Sequence, residues 1–495
     1  MNNRGRIVVF ISMITAAMLV LITLVIQVVV LSAAKSKTVI ASRLSMSDIK
    51  ACYNSYIFEH YHILLFDKTA GGRGEAYLEE QLQQEFVDKL GRGYADTQVA
   101  ITDMEMLTDN NCVAFKEQIK DYMVYAAAEQ GIELGVDKIR EKTGGQDGTL
   151  PEELKEDMKD AEDGAQKPED VVCVDDTAEK ETDVEPDVPE RENMESDELQ
   201  SWKQSEDPRD YTKKLSNSMI LNLVLPEDKT VSMTTVELED APSRMLNRVF
   251  TYYEEIDRDF DNMQRMSDGL EALGSWQDSL VNTGAELVYA GQVFNSYQEE
   301  KNETAVLTYE QEYLIAGKSS DYENLKSVAN RMIGIRFPVN YVSLCKQPDK
   351  MEKLKGLATA IAWAAPYLIP AVKYFLAGCW AYIESIADVR VLFDGKKAPF
   401  SKNADTWITD IEHIGESLSK KTEDDEDGLD YQAYLTILQA LDAEGVTARM
   451  LDLIQINTRQ SEQEFEIKNA AVGFSADFES SFNGQTFRYH QSTAY

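Results

Sequence analysis

Cysteine and histidine are scarce in this sequence: five Cys (Cys52, Cys112, Cys173, Cys345, Cys379) with no CxxC pair, and four His (His60, His62, His413, His490), in 495 residues. That leaves little material for a zinc ribbon or a disulfide scaffold. Basic charge is short as well, with 49 Lys and Arg against 87 Asp and Glu and a net charge of −38. So acidic a surface repels phosphate backbones and anionic lipid headgroups alike, which excludes nucleic acid as a partner class. Nucleophilic catalysis lacks its usual marks, since no GxSxG, Cys-Gly-Ser-Cys-like or SxxK-type constellation of a known hydrolase occurs. His60 and His62 stand two apart, so on a helix they point to different faces and do not share a metal. Gly71, Gly72 and Gly74 follow no strand and lack P-loop or GxGxxG spacing, so they read as a loop and not as a phosphate cradle. Asp257, Asp259, Asp261 and Asp268 imitate positions 1, 3, 5 and 12 of a calcium loop. Asn262 replaces the turn glycine, however, and an apolar helical period runs through them, which favours a solvated helix face. No catalytic, cofactor-binding or metal-ligating residue is assigned.

What is present in abundance is apolar sequence at the amino terminus. Ile7 to Ala34 is 28 residues without a charge, more than the roughly 20 that cross a bilayer core. The small residues Ser32, Ala33 and Ala34 would suit signal-peptide cleavage, but a signal h-region runs only about 7 to 15 residues. The expectation is a transmembrane anchor over 7–34, with the lipid bilayer as its partner. Arg4 and Arg6 precede the span and Lys35, Lys37, Arg43 and Lys50 follow it, so charge does not fix its orientation. No Gly or Pro separates Arg6 from Gly71. The helix is therefore expected to continue as an amphipathic extension through Val39, Ile40, Leu44, Tyr53, Tyr56, Ile57 and Tyr61 to Asp67, a rod on the order of 90 Å.

Beyond it, the spacing of Tyr77, Leu78, Leu82, Phe86 and Leu90 predicts a helix over 75–90. A strand follows at 99–107, then a turn at Asp109-Asn110-Asn111 and a helix over 115–139. Residues 141–210 hold 26 acidic and 8 basic side chains and five of the 12 prolines, a disordered acidic linker or insertion by composition. Met219, Leu221, Leu223 and Leu225 alternate as a strand and Val231, Met233 and Val236 suggest another, while Met245 to Leu270 carries a helical stripe. Leu357 to Ala387 is apolar enough to be weighed as a second span. Pro366, Pro370 and Lys373 interrupt it, and Lys373, Glu384 and Asp388 fall on one polar edge, so two core helices joined at the prolines are expected. Further helices are expected over 404–418, 430–441 and 446–459. After them Phe465 and Ile467, then Val472, Phe474, Ala476, Phe478 and Phe482, lead to Asn483-Gly484, a hairpin signal, with Phe487 and Tyr489 beyond. This hairpin is expected to pair with the 219–225 strand. The fold class is α+β, predominantly helical: an N-terminal transmembrane helix continuing into a long amphipathic helix, and a small antiparallel sheet including a C-terminal hairpin. The expected domains are 1–34 (tail and anchor), 35–140 (membrane-proximal helical spine and first part of the head), 141–210 (acidic linker or insertion) and 211–495 (main extracytoplasmic α+β domain).

Arg4-Gly5-Arg6-Ile7-Val8-Val9-Phe10 ahead of a long apolar helix resembles the start of the pilin-like and pseudopilin-like proteins of tight-adherence pilus systems. Cys52 to Tyr56, Tyr61 to Asp67, Ala316 to Asp321, Ala387 to Leu392 and Met450 to Gln455 are similar to an uncharacterised family of bacterial single-span membrane proteins. The resemblance implies an amino terminus inside, a head outside the bacterial cell membrane, and a structural part among other pilus or envelope-assembly proteins. Five residues after Gly5 stands Phe10 where type IV prepilins have Glu, so neither prepilin processing nor carboxylate-mediated filament assembly follows from it. The function expected is a non-enzymatic, membrane-anchored structural or assembly protein. The alternative is a tethered ligand-binding sensor or enzyme head with a pocket formed by residues 357–393.

Overall fold

A computed structural model describes residues 3–130, 139, 220–226, 229–245, 283–414 and 424–495. The acidic 141–210 segment and the four aspartates between 257 and 268 lie outside the described residues, as does most of the 245–270 stripe. In chain order the elements are α1 (Asn3–Ala51), α2 (Ser55–Tyr61), β1 (Phe66–Asp67), α3 (Glu75–Leu90), β2 (Tyr94–Met106), α4 (Asp109–Gln130), α5 (Ile220–Val224) and α6 (Pro242–Met245). They continue with α7 (Glu310–Ala316), α8 (Asp321–Cys345), α9 (Pro348–Ile361), α10 (Ile369–Phe393), α11 (Tyr431–Ala440), α12 (Ala443–Thr458), β3 (Ala470–Phe482) and β4 (Gln485–Ala494). The architecture is α+β and mostly helical, with one small antiparallel sheet that includes the C-terminal hairpin, as expected. Two compact units divide it: residues 1–129, 240–246 and 450–495 form the first, and 130–239 with 247–449 the second. The segment 211–495 thus contributes to both.

In the first unit α1 is 49 residues long, on the order of 75 Å at 1.5 Å per residue. It does not run on to Asp67. It stops at Ala51 because Asn54 caps a new helix, its side chain accepting from the Ile57 N–H at 3.0 Å, while its own N–H donates to the Leu65 carbonyl. The apolar part of α1 is long enough to cross a membrane and none of its most apolar stretch is buried by protein. Its second half rests on α3 and the sheet, but through small residues: Ala34, Thr38, Ala41, Ser42 and Ser45 are buried, with Met46 and Ile49. Ile40 and Leu44, expected on the packed side, are 56% and 47% exposed. Small side chains let the helix backbone approach the strands closely. Thr38 Oγ1 stands 3.1 Å from Ser480 Oγ, and the Tyr94 hydroxyl donates to the Ala34 carbonyl at 3.1 Å.

β3 is the centre of the sheet, with β2 antiparallel along one flank and β4 and the short β1 along the other. Phe474, Ala476 and Phe478 point into a core shared with Leu78, Leu82, Phe86 and Leu90 of α3 and Ala41, Met46 and Ile49 of α1. Each large side chain so buried contributes roughly 1.5–3 kcal/mol. The alternate residues of β3 face the other way and meet polar partners on β4: Ser475 with Ser492, Asp477 with His490, Glu479 with Arg488, and Ser481 with Thr486. Asn483 and Gly484 close the hairpin with φ of 49° and 76°, the double positive φ of a type I′ turn. The strand expected at 219–225 is instead the helix α5, whose Ile220, Leu221 and Val224 are buried, so it does not pair with the hairpin; β2 and β1 do.

Gly473 is forced by this pairing. A Cβ there would lie 2.8 Å from the Thr493 carbonyl oxygen and 2.9 Å from the Ala494 Cβ. Gly473→Ala is expected to cost about 1–3 kcal/mol through overpacking. The end of β4 should come loose, read as faster hydrogen exchange of the Tyr495 amide, which donates to the Val472 carbonyl at 3.0 Å.

The second unit is helical. α8 and α10 carry its core, with Leu325, Val328, Ala329 and Met332 set among Ile383, Ile386, Val389, Leu392 and Phe393, and with Tyr434, Leu435 and Leu438 of α11. α9 and α10 are the two helices expected around the prolines, joined by a 3-10 turn at Pro366–Leu368 with Pro370 in the first turn of α10. Residues 231–236 form no full strand, only a bridge between Thr235 and Ser320. The described part of the expected 404–418 helix, up to 414, is turns and extended chain.

Candidate functional site

Two adjoining polar clusters lie inside the second unit, where an apolar core would otherwise be continuous. α8 contributes Arg336 and Asn340, and α10 contributes Glu384, Ser385 and Asp388. Each pair one turn apart faces the same way, because residues i and i+4 share a helix face. All five are fully buried. Arg336 donates to Asp388 Oδ2 from Nε at 2.8 Å and from Nη2 at 2.7 Å, to the Tyr434 hydroxyl at 3.1 Å and to the Phe400 carbonyl at 2.6 Å. Asn340 donates to the same carboxylate oxygen at 2.8 Å and to Ser385 at 3.0 Å. The other oxygen, Asp388 Oδ1, is 2.5 Å from the Lys402 ammonium, which also pairs with Glu384.

Glu384 then accepts from the Ile408 N–H at 2.7 Å, the Thr409 N–H at 2.8 Å and the Thr409 hydroxyl at 2.6 Å. Two amides of the non-helical 404–414 segment, those of Ile408 and Thr409, are thus spent on a buried carboxylate. Two cations and two carboxylates balance. Burial alone would raise the Asp388 carboxyl, yet Arg336 and Lys402 overcome it and hold it below the usual carboxylate range. Such a quartet is built to fix one packing arrangement. The polar edge on which the spacing places Glu384 and Asp388 is therefore buried inside the unit.

The second cluster surrounds Glu312 on α7. Tyr431 donates to Glu312 Oε1 at 2.7 Å and the Tyr297 N–H donates to the same oxygen at 2.9 Å, while Oε2 is buried without a hydrogen-bond partner. The Tyr297 ring lies 5.8, 5.9 and 5.1 Å from those of Tyr309, Tyr431 and Phe393. Burial pushes the Glu312 carboxyl up to about 7, against the pull of its two donors. Nearby, Asp321 closes the start of α8 by accepting from the Thr308 and Tyr309 amides at 3.1 and 3.2 Å and from the Ser232 hydroxyl at 2.6 Å. Chemically, a carboxyl that titrates near neutrality could pass a proton. Glu312 is fully buried, however, and no substrate reaches it without rearrangement.

Of the residues that the sequence drew attention to, Glu384 and Asp388 belong to the quartet; the histidines, glycines and cysteines described next lie outside both clusters. His60 stacks on Tyr56 and His62 on Tyr122, each at 4.2 Å between ring centres, so they are aromatic packing partners on different sides. Burial and the proximity of His60 lower the His62 pKa. The glycine amides of the 71–74 loop are taken within the loop: Gly71 N–H donates to the Asp67 carboxylate at 2.9 Å, Gly72 N–H to the Thr69 hydroxyl at 3.1 Å and Gly74 N–H to the Thr69 carbonyl at 2.9 Å. Of the cysteines, Cys52 is exposed, Cys345 half-buried, and Cys112 and Cys379 buried. The 357–393 helices fill the space between themselves, with Leu354, Leu357 and Ala358 against Leu376, Ala377 and Trp380. Asp410, Glu412 and His413 come within 4.8 Å of one another at the surface, and the Lys353 ammonium stands 4.0 Å from both carboxylates.

The chain belongs to a protein family of unknown function, DUF5702, whose sequence model matches residues 198–482. That range includes both buried clusters and β3, and it excludes α1. No curated protein matches the chain, and no solved structure does.

Proposed function

We propose that this is a single-pass, membrane-anchored protein with an extracytoplasmic head, a structural or assembly component of a pilus-like or envelope-associated system of the tight-adherence type, without catalysis of its own. One observation carries the reading. α1 is a single helix that is bare and apolar along its first half, while its second half is fastened to α3 and the sheet, with Ala34, Thr38, Ala41, Ser42 and Ser45 buried. Force or position imposed on such an anchor passes directly into a folded body. The exposed Ile40 and Leu44 on the outer side of the same helix offer apolar surface to a neighbouring subunit, in keeping with the pseudopilin-like amino terminus. The interior of the second unit supports the same reading, since its ionic quartet is buried and charge-balanced.

Crosslinking in intact membranes tests this. Adducts with pilus or secretion-apparatus subunits are expected, formed through positions such as Ile40 and Leu44. Recovery of the protein only as an isolated monomer, or released from the membrane without α1, would overturn it.

A further inference from the structure

The end of the α9–α10 pair is an exposed aromatic wedge. Trp363 is 74% exposed, Tyr367 81% and Phe375 52%, around a turn stiffened by Pro366 and Pro370. Among the described residues of the second unit the other large apolar groups are mostly buried, so this is a concentrated patch and not scattered surface. Its charge is also out of character. In a chain carrying 87 acidic residues, none occurs among the 31 positions from Lys353 to Ile383, while Lys353, Lys355 and Lys373 do. Lys353 shares its charge with Asp410 and Glu412 at 4.0 Å. Lys355 and Lys373 make no ion pair among the described residues, and Lys373 lies 4.4 Å from the centre of the Tyr374 ring.

We propose that this wedge, Trp363, Tyr367 and Phe375 backed by Lys355 and Lys373, inserts into the interfacial layer of an anionic lipid bilayer. The chemistry is that of interfacial anchoring. Indole and phenol rings settle at headgroup level, and lysines a turn or two behind reach the lipid phosphates with flexible stems. Lys355 is eight residues from Trp363, about 12 Å if measured along a helix, which suits an apolar face sunk roughly 5–10 Å into the boundary. A projecting turn fits a deformable lipid layer; a protein partner would need a matching cavity. The inference rests on the reading of α1 as a bilayer anchor, which keeps lipid at high effective concentration around the chain.

The test uses the full chain reconstituted into phosphatidylcholine vesicles with brominated acyl chains, with and without phosphatidylglycerol. α1 contains no Trp, so quenching reads the head alone, and the difference between the wild type and Trp363→Phe isolates position 363. That component should be quenched about twofold more strongly with phosphatidylglycerol present, and the gain should vanish in high salt and in a Lys355→Gln/Lys373→Gln variant. Vesicle flotation separates the two readings. Protein that floats while its Trp363 component stays unquenched, or is quenched equally in both lipids, overturns the wedge and spares the anchor. Protein that fails to float overturns the anchor. Lipid-independent self-crosslinking that disappears with Trp363→Phe would assign the patch to a second copy and overturn the lipid assignment.

Discussion

Asp388→Asn is expected to cost about 3–5 kcal/mol, because it leaves Arg336 and Lys402 buried with only Glu384 to balance them. Arg336→Met should be nearly as costly for the opposite reason, leaving the Asp388 carboxylate short of its two strongest donors. The double variant Arg336→Met/Asp388→Leu removes one charge of each sign and leaves Lys402 with Glu384, so it should be less destabilised than the two single losses added together. Denaturant unfolding gives the three values. A local reporter lies beside the quartet: Trp380 Nε1 donates to Thr409 Oγ1 at 3.0 Å and its ring is edge-on to Trp407 at 5.7 Å. The near-ultraviolet dichroism of this pair should collapse in Asp388→Asn and largely survive in the double variant. Additive losses would mean that the four groups do not act as a unit.

The quartet also marks where sequence reasoning stopped. Local patterns were legible: Leu78, Leu82, Phe86 and Leu90 define α3 by their spacing, prolines at 366 and 370 separate α9 from α10, and Asn483-Gly484 sets the hairpin turn. Each depends on chemistry within a few residues. The Arg336–Asp388 pair spans 52 positions and the Lys402–Glu384 pair 18, and no spacing rule connects a lysine in a loop to a carboxylate on a preceding helix. The two acids one turn apart on α10 were visible, but in so acidic a chain another polar edge carries no information. The available signal was that Trp380, Ala381, Ile383, Ile386 and Ala387 surround them on nearly every side, which leaves α10 no polar face.

Two further misreadings have the same origin. Alternation at 219–225 reads equally well as a short buried helix, since a run of about six apolar residues does not separate the two periods; packing in the second unit's core decided for α5. In α1, the large apolar residues Ile40 and Leu44 were expected on the packed side, as on an ordinary amphipathic helix. Instead α3 and the sheet pack against α1 where Ala34, Thr38, Ala41, Ser42 and Ser45 are buried, and close approach selects small side chains. What remains bare, Ile40 and Leu44, is then surface available to neighbours.

Glu312 gives the second large effect, and its sign follows from linkage. Its carboxyl titrates near 7 in the folded protein against an ordinary value of 4.5, so between those values the folded state holds a proton that the unfolded state has lost. Stability on this account is greatest at acidic pH and falls as pH rises from about 4.5 through 7, by about 3 kcal/mol in all. Glu312→Gln keeps an oxygen to accept from Tyr431 and from the Tyr297 N–H, and places an amide where Oε2 now has no partner, imitating the protonated acid. The difference in unfolding free energy between Glu312→Gln and the wild type should therefore be small near pH 5 and should grow in favour of Gln towards pH 8. Other carboxylates cancel in that difference. A difference that stays flat over the range would show that Glu312 is ionised in the fold, and would require its buried Oε2 to have found a donor.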